Sequence, residues 1–376
     1  MELWDAYDRE ENRLGFDLVR GETVPEGAYH LVCEVMVRHE NGDYLLMKRD
    51  SHKEGFPGLY ELTAGGSALK GEDAETCARR ELFEETGIRD GALVEFAVEA
   101  HEGYRAIYHR YFLQTRCDPN AIVLQPGETE AFRWVDEAEL ERVLASGEAV
   151  PYTLHHFDRF RAYRREIPEA LREGVRRFFA GDHSGHDWYH TVRVVNLALS
   201  LAEAEGADRQ TVTLAALLHD VDDYKLTGGA MGATDNADRL MGMYGYSPEE
   251  RERVCGIIRQ VSFKGRDTVA PDSLEGKVVQ DADRLDAIGA VGIARAFAFG
   301  GAHGRAMYAP GEAPGKDLSA EEYMSRKGST INHFYEKLLL LRDMMNTESA
   351  RRVADARHDY MAGFLDEFFA EWGGTR

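Results

Sequence analysis

Gly65-Gly66-Ser67-Ala68-Leu69-Lys70-Gly71-Glu72 is followed, after seven intervening residues, by Arg80-Glu81-Leu82-Phe83-Glu84-Glu85-Thr86-Gly87-Ile88. The second stretch predicts a helix from about Ala74 to Thr86, stopped by Gly87. Glu81 precedes Glu84 by three positions and Glu85 by four, so the three carboxylates share one helix face. Like charges at that spacing repel by roughly a few tenths of a kcal/mol per pair. An oxygen-seeking cation such as Mg2+ would compensate them. Arg80 can also bridge to Glu84, one turn on. Gly65 and Gly66 permit close backbone approach ahead of the helix. A plain solvated acidic face explains Glu84-Glu85 alone, but not the full spacing from Gly66 to Ile88.

Strand patterns surround this helix. Tyr29–Arg38 and Tyr44–Arg49 are rich in apolar and β-branched residues, and the turn signal His39-Glu-Asn-Gly-Asp43 between them predicts a hairpin. Ala106–Leu113 alternates and reads as another strand. Beyond about Tyr163, apolar residues recur every three or four positions. Thr191–Glu205, Thr211–His219, Lys277–Phe299, Tyr335–Met345 and Ala350–Trp372 are the expected helices. A chain of 376 residues exceeds one ordinary core. We expect a mixed α/β domain over residues 1–160 and an all-helical one over 166–376, with the polar, basic stretch 157–165 as the candidate boundary. The Gly-, Ala- and Pro-rich run 300–316 reads as a surface connection.

The chain carries 67 acidic against 45 basic residues, a net charge of -22, which repels phosphate backbones and argues against general nucleic-acid binding. A small phosphorylated metabolite or nucleotide would instead be met by local cations. Cys33, Cys77, Cys117 and Cys255 form no CxxC pair, so thiolate zinc clusters are not expected and a reduced cytoplasm is. No apolar run approaches the roughly 20 residues of a membrane helix, and Met1–Asp5 shows no signal peptide pattern.

The second half carries His190, the adjacent His219-Asp220, and Asp283. A histidine at a helix end is commonly there for the helix dipole. Here, however, His219-Asp220 ends the apolar run Leu214-Ala-Ala-Leu-Leu, and ionisable groups beside a core need partners. Asp281, Asp283 and Asp286 crowd the next long helix, and convergence of both groups on a metal would satisfy them. Two imidazoles with two carboxylates suit Mn2+, Fe2+, Co2+, Ni2+ or Mg2+.

The run from Gly66 to Ile88 resembles the Nudix box at every defined position, and the likeness extends over about residues 1–150. It implies an α/β/α sandwich with a mixed sheet. Glu81, Glu84 and Glu85 would hold Mg2+, with Glu84, Glu85 and Arg80 in the catalytic machinery and Glu72 bracing Arg80. The implied reaction is attack of water on a phosphoanhydride. Glu128 and Glu130 are candidate general bases, or ordinary loop carboxylates. Residues 168–376 resemble the HD phosphohydrolase superfamily, with His190, His219, Asp220 and Asp283 as the metal set. No histidine lies between Asp220 and Asp283, so one metal is expected rather than two. Asp223 matches an acidic proton-transfer position, with a shorter reach than glutamate. His186, Lys264, Arg284 and Arg295 are either substrate contacts or structural partners. Tyr60, Tyr104, Tyr108 and Phe132 either stack on a base or belong to the core.

Together the resemblances imply a bifunctional hydrolase, cleaving a nucleoside-diphosphate-linked substrate at one site and a phosphoester such as a nucleoside monophosphate at the other. Two alternatives stay open. One domain senses ligand while the other catalyses, or the chain is a nucleotide-binding regulator without turnover.

Overall fold

The computed structural model describes residues 2–180, 187–223, 230, 232–261, 268–315 and 328–375. The chain divides into two compact units. One comprises Met1–Pro168 with Met241–Pro248, the other Glu169–Leu240 with Glu249–Arg376.

In the first unit, β1 (Leu3–Tyr7) and β2 (Arg13–Val19) form a small antiparallel ribbon. The main sheet is built on β3 (His30–His39), whose neighbours are β4 (Tyr44–Arg49), β6 (Thr63–Ser67) and β8 (Ala106–Thr115). β3 runs parallel to β8 from His30 opposite Ala106 to His39 opposite Thr115. It runs antiparallel to β6, with Cys33 opposite Gly66. β5 (Tyr60–Glu61), β7 (Leu93–His101) and β9 (Thr129–Val135) complete a mixed seven-stranded sheet. The turn expected between β3 and β4 forms, with Gly42 at φ 106° and its N–H donated to the His39 carbonyl at 2.9 Å.

The period-two pattern of β3 explains the layers. Leu31, Cys33, Val35 and Val37 point to one side, where they pack with Cys77, Ala78 and Leu82 of α1 (Ala74–Thr86). Met36 and, on β8, Phe112 point to the other, against Leu140 and Val143 of α2 (Glu137–Ser146) and Phe157 and Phe160 of α3 (Thr153–Arg165). The polar, basic stretch 157–165 is thus the greater part of a helix whose two phenylalanines are fully buried. Residues 241–248 belong to this unit for a visible reason. Buried Arg38 donates to the carbonyls of Gly245 and Tyr246 at 2.7 and 2.6 Å, and Arg164 donates to Gly245 at 2.7 Å. Gly245 has φ 84°, and a Cβ there would stand 2.2 Å from Phe160 Cζ.

Among its described residues the second unit contains helices and their connections but no strand. In chain order come α4 (Glu169–Arg176), α5 (Trp188–Glu205), α6 (Arg209–Leu218), α7 (Asp235–Met243), α8 (Pro248–Val261), α9 (Leu274–Asp286), α10 (Gly289–Ala302), α11 (Thr330–Glu336) and α12 (Glu348–Trp372). The single helix expected over 277–299 is two helices, α9 and α10, bent by 67°. Gly289 follows the break at φ 78°, where a Cβ would meet the Arg357 side chain at 2.9 Å. The expected helix over 335–345 is likewise interrupted, α11 ending at Glu336 and a 3-10 turn running from Leu338 to Met344. Among the described residues no single helix is long and apolar enough to cross a membrane.

Candidate active sites

The first constellation is built by α1 and the loop before it. Asp73 caps the helix by accepting the Thr76 N–H at 2.8 Å, and Gly87 ends it at φ 77°. Arg80 organises the acids around it. Its Nε and Nη2 hold both oxygens of Glu72 at 2.8 and 2.9 Å, while Nη1 reaches Glu81 at 2.7 Å and Glu84 at 3.2 Å. Glu72 also accepts the Leu69 N–H at 2.9 Å, and Arg80 donates to the Ser67 carbonyl at 3.2 Å. The loop and helix are thereby locked together. The glycine pair has a steric purpose. A Cβ on Gly65 would stand 2.1 Å from the Cys33 carbonyl oxygen, and one on Gly66 would stand 2.5 Å from Glu81 Oε1.

The carboxylates differ in electrostatic state. The ion pair with Arg80 lowers the Glu72 carboxyl. Burial raises Glu81 in spite of Arg80. Glu85 is only 8% exposed. Burial, then the nearby charges of Glu81 and Glu61, push it up to about 8, with Lys53 opposing. An all-oxygen set with partial burial fits a hard divalent cation.

The second constellation joins α5, the end of α6, and α9. Asp187 caps α5 by accepting the His190 N–H at 2.8 Å, which brings that histidine to the first turn. His190 Nε2 lies 3.3 Å from His219 Nε2, 3.4 Å from Asp220 Oδ2 and 3.4 Å from Asp283 Oδ1. His219 Nε2 is 3.2 Å from Asp220 and 3.9 Å from Asp283. The opposite ring nitrogens are engaged elsewhere. His190 Nδ1 faces Asp286 Oδ2 at 2.8 Å, and His219 Nδ1 faces the Ala216 carbonyl at 2.9 Å. Both Nδ1 atoms are therefore donors, and both Nε2 atoms turn to one point shared with two carboxylates. The ligand atoms of His190, His219 and Asp283 lie within 4.8 Å of one another. This donor set fits a divalent cation. Burial lowers His190, but Asp220, Asp283 and Asp286 outweigh it and carry the imidazole up to about 10. His219 is raised for the same reason, and Asp283 is held below the ordinary carboxylate range by its histidine neighbours against the effect of burial.

Comparison with known proteins matches each half of the chain to a family. A NUDIX domain matches residues 28–155 and an HD domain matches residues 187–288. YpgQ of Bacillus subtilis is 44% identical over 200 residues, 52% of this chain and 89% of that protein. The Nudix hydrolase lmo0368 of Listeria monocytogenes is 36% identical over 155 residues, 40% of this chain and 90% of that one. The chain belongs to both families, Nudix in its first half and HD in its second. A Lactobacillus plantarum protein of known structure is 40% identical, covering 55% of this chain and 96% of that one at a TM-score of 0.50. A crystal structure of B. subtilis YpgQ holds ADP; it matches 54% of this chain and 96% of that one at 40% identity, with a TM-score of 0.43. Nudix and HD domains together make the chain a hydrolase of the phosphohydrolase class, and both families use divalent metals.

Within the Nudix domain, Glu130 is held by Lys48 Nζ at 2.7 Å and by the Ser51 amide at 3.2 Å. Glu128 pairs with Lys53, and both act electrostatically on Glu85. Tyr60 carries the Arg133 guanidinium on its ring, Tyr104 is 67% exposed and stacks on His101, and Phe132 packs against the core. Sequence reasoning missed Glu61, which lies on β5 and carries no local signal; the fold alone brings its charge to bear on Glu85.

Within the HD domain, the three acids of α9 do not converge as expected. Only Asp283 reaches the Nε2 atoms of the two histidines. Asp281 accepts from the Asn346 and Thr347 amides at 2.9 and 2.8 Å and from the Thr347 hydroxyl at 2.8 Å, tying α9 to the start of α12. Asp286 serves His190 and two arginines. Arg284 donates to the Met344 carbonyl and Arg295 to Asp286, so both are structural partners. Asp223 is half-buried, and its N–H closes a turn on the Asp220 carbonyl at 3.0 Å. His186, Lys264 and Lys316 lie outside the described residues.

Proposed function

We propose that the chain is a bifunctional metal-dependent hydrolase, with functional domains at residues 1–160 and 166–376. The Nudix site cleaves a phosphoanhydride in a nucleoside-diphosphate-linked substrate, and the HD site hydrolyses a phosphoester such as a nucleoside monophosphate. The observation that carries this reading is that each unit holds its own set of metal-type donors: an Arg80-braced carboxylate set and a paired-imidazole set. YpgQ, 44% identical to the second half, has been crystallised with ADP, which makes nucleotides the first substrates to try.

In the Nudix site, Glu81, Glu84 and Glu85 would hold Mg2+, which supplies charge neutralisation at the anhydride oxygens and an acidified water. Arg80 fixes the directions of Glu81 and Glu84, and Glu72 fixes Arg80. Where it is not itself on the metal, Glu85 is a candidate to take a proton from water, because in the metal-free protein burial and Glu81 push its carboxyl up to about 8. Glu130 is the weaker candidate base, since its hydrogen bond and ion pair with Lys48 lower its carboxyl.

In the HD site, His190, His219, Asp220 and Asp283 would hold one divalent metal, Mn2+, Fe2+, Co2+, Ni2+ or Mg2+. Asp223 is the group proposed to pass a proton to the leaving oxygen.

Wild type, Glu85→Gln and Asp220→Ala are assayed with Mg2+ or Mn2+ against nucleoside triphosphates, nucleotide sugars, dinucleotides and monophosphates. Loss of anhydride cleavage alone in the first variant and of monoester cleavage alone in the second is the expected result. If one substitution removes all turnover and the other none, the bifunctional reading is wrong. Activity untouched by either variant rejects both sites.

A further inference from the structure

Asp286 is 2% exposed in the helical unit. His190 Nδ1 approaches Oδ2 at 2.8 Å. Arg193, one turn beyond His190 on α5, grips both oxygens through Nε at 2.7 Å and Nη2 at 3.0 Å. Arg295 from α10 adds a third contact to Oδ2 at 2.7 Å. A buried carboxylate is costly unless its lone pairs are filled, and here two guanidiniums on different helices fill them. The carboxylate is therefore fixed by two arginines, and the Oδ2 they share also meets His190 Nδ1.

The two histidines are oriented by unlike means. His219 leans on the Ala216 carbonyl of its own helix, a contact that α6 supplies through its backbone. His190 meets at Nδ1 the carboxylate of a side chain 96 residues away. A carboxylate on the far nitrogen of a metal-binding imidazole sets the tautomer and ring plane and strengthens the near nitrogen as a donor.

We propose that Asp286, clamped by Arg193 and Arg295, is the positioning residue for His190 in the HD site, aiming its Nε2 at the point shared with His219, Asp220 and Asp283. This rests on the metal-site reading above.

The test uses the full chain with Co2+ as probe, following the visible absorption band and the affinity by competition with a chelator. The band lost in Asp283→Ala identifies the signal of this site. Asp286→Ala is expected to weaken Co2+ binding about 10- to 100-fold and to shift the band. Asp286→Asn keeps an acceptor for Nδ1–H and is expected to recover part of that loss. A shifted band with partial recovery separates positioning from general loss of packing, which would not move the metal spectrum of the bound fraction. Circular dichroism checks folding, and if the alanine variant does not fold, the asparagine variant carries the test. Wild-type affinity and an unchanged band in a folded Asp286 variant overturn the proposal while the metal site stands. If Asp283→Ala leaves the Co2+ band intact, the metal-site reading fails and the proposal fails with it.

Discussion

Glu85→Gln is expected to stabilise the metal-free protein at alkaline pH while removing Nudix turnover. Burial and the charges of Glu81 and Glu61 raise the Glu85 carboxyl from its ordinary 4.5 to about 8. The folded state then holds this proton more tightly than the unfolded chain does, so stability falls as pH rises from about 4.5 through about 8. At about 1.36 kcal/mol for each pH unit of that gap, the full penalty approaches roughly 5 kcal/mol. Roughly half of it develops between pH 6.0 and 8.5, or about 2.5 kcal/mol. Glutamine keeps the shape and never ionises. For a unit of this size, that is a difference of roughly 5–10 °C in Tm. The assay is calorimetric unfolding of both full chains in EDTA at the two pH values. Wild type should lose about that much more stability than the variant on going to pH 8.5, and saturating Mg2+ should narrow the gap. Parallel pH dependence of the two proteins in EDTA would refute the claim that Glu85 is held near neutrality by burial.

Three further outcomes follow from the geometry. Mn2+ affinity at the HD set should rise with pH by up to about tenfold per unit between pH 7 and 9, because the proton held on His190 up to about 10 must leave; titration calorimetry showing no pH dependence would contradict this. Gly66→Ala should cut anhydride cleavage at least about tenfold with Mn2+ binding at the HD set unchanged, since the new methyl group would stand 2.5 Å from Glu81 Oε1 and push that carboxylate aside. Asp281→Ala should cost roughly 3–5 kcal/mol, read by thermal unfolding, because it strands the Asn346 and Thr347 donors. Its Co2+ affinity should stay at the wild-type value, in contrast to Asp286→Ala.

The Nudix helix was legible to the residue, Ala74 to Thr86, because Asp73 and Gly87 are strong local punctuation. The purpose of Gly66 was legible only as permissiveness; that it clears space for Glu81 depends on β6 lying beside α1. The break at Ala287–Ile288 was missed because apolar residues recur at helical spacing on both sides of it. Gly289 read as one small residue among several, and the Arg357 side chain that makes it necessary comes from α12. Asp281, Asp283 and Asp286 looked alike in sequence, being two and three residues apart on one helix. They separate only when their partners, Thr347, His190 and Arg193, arrive from other helices. The acid count showed that something needed satisfying. It could not show that one metal-type site and two hydrogen-bond hubs would share the task.

The eight residues Met241–Pro248 make the first unit discontinuous along the chain. A gene cut after Pro168 would keep every strand of the Nudix sheet, yet it would discard the Gly245 and Tyr246 carbonyls that Arg38 and Arg164 bond. Removing these acceptors from two buried guanidiniums costs several kcal/mol, on the order of a small domain's whole margin. The Nudix half is therefore not a portable cassette. Recombination that exchanges it as one continuous block would lose those buried acceptors, whereas a graft that carries residues 241–248 along with it would not.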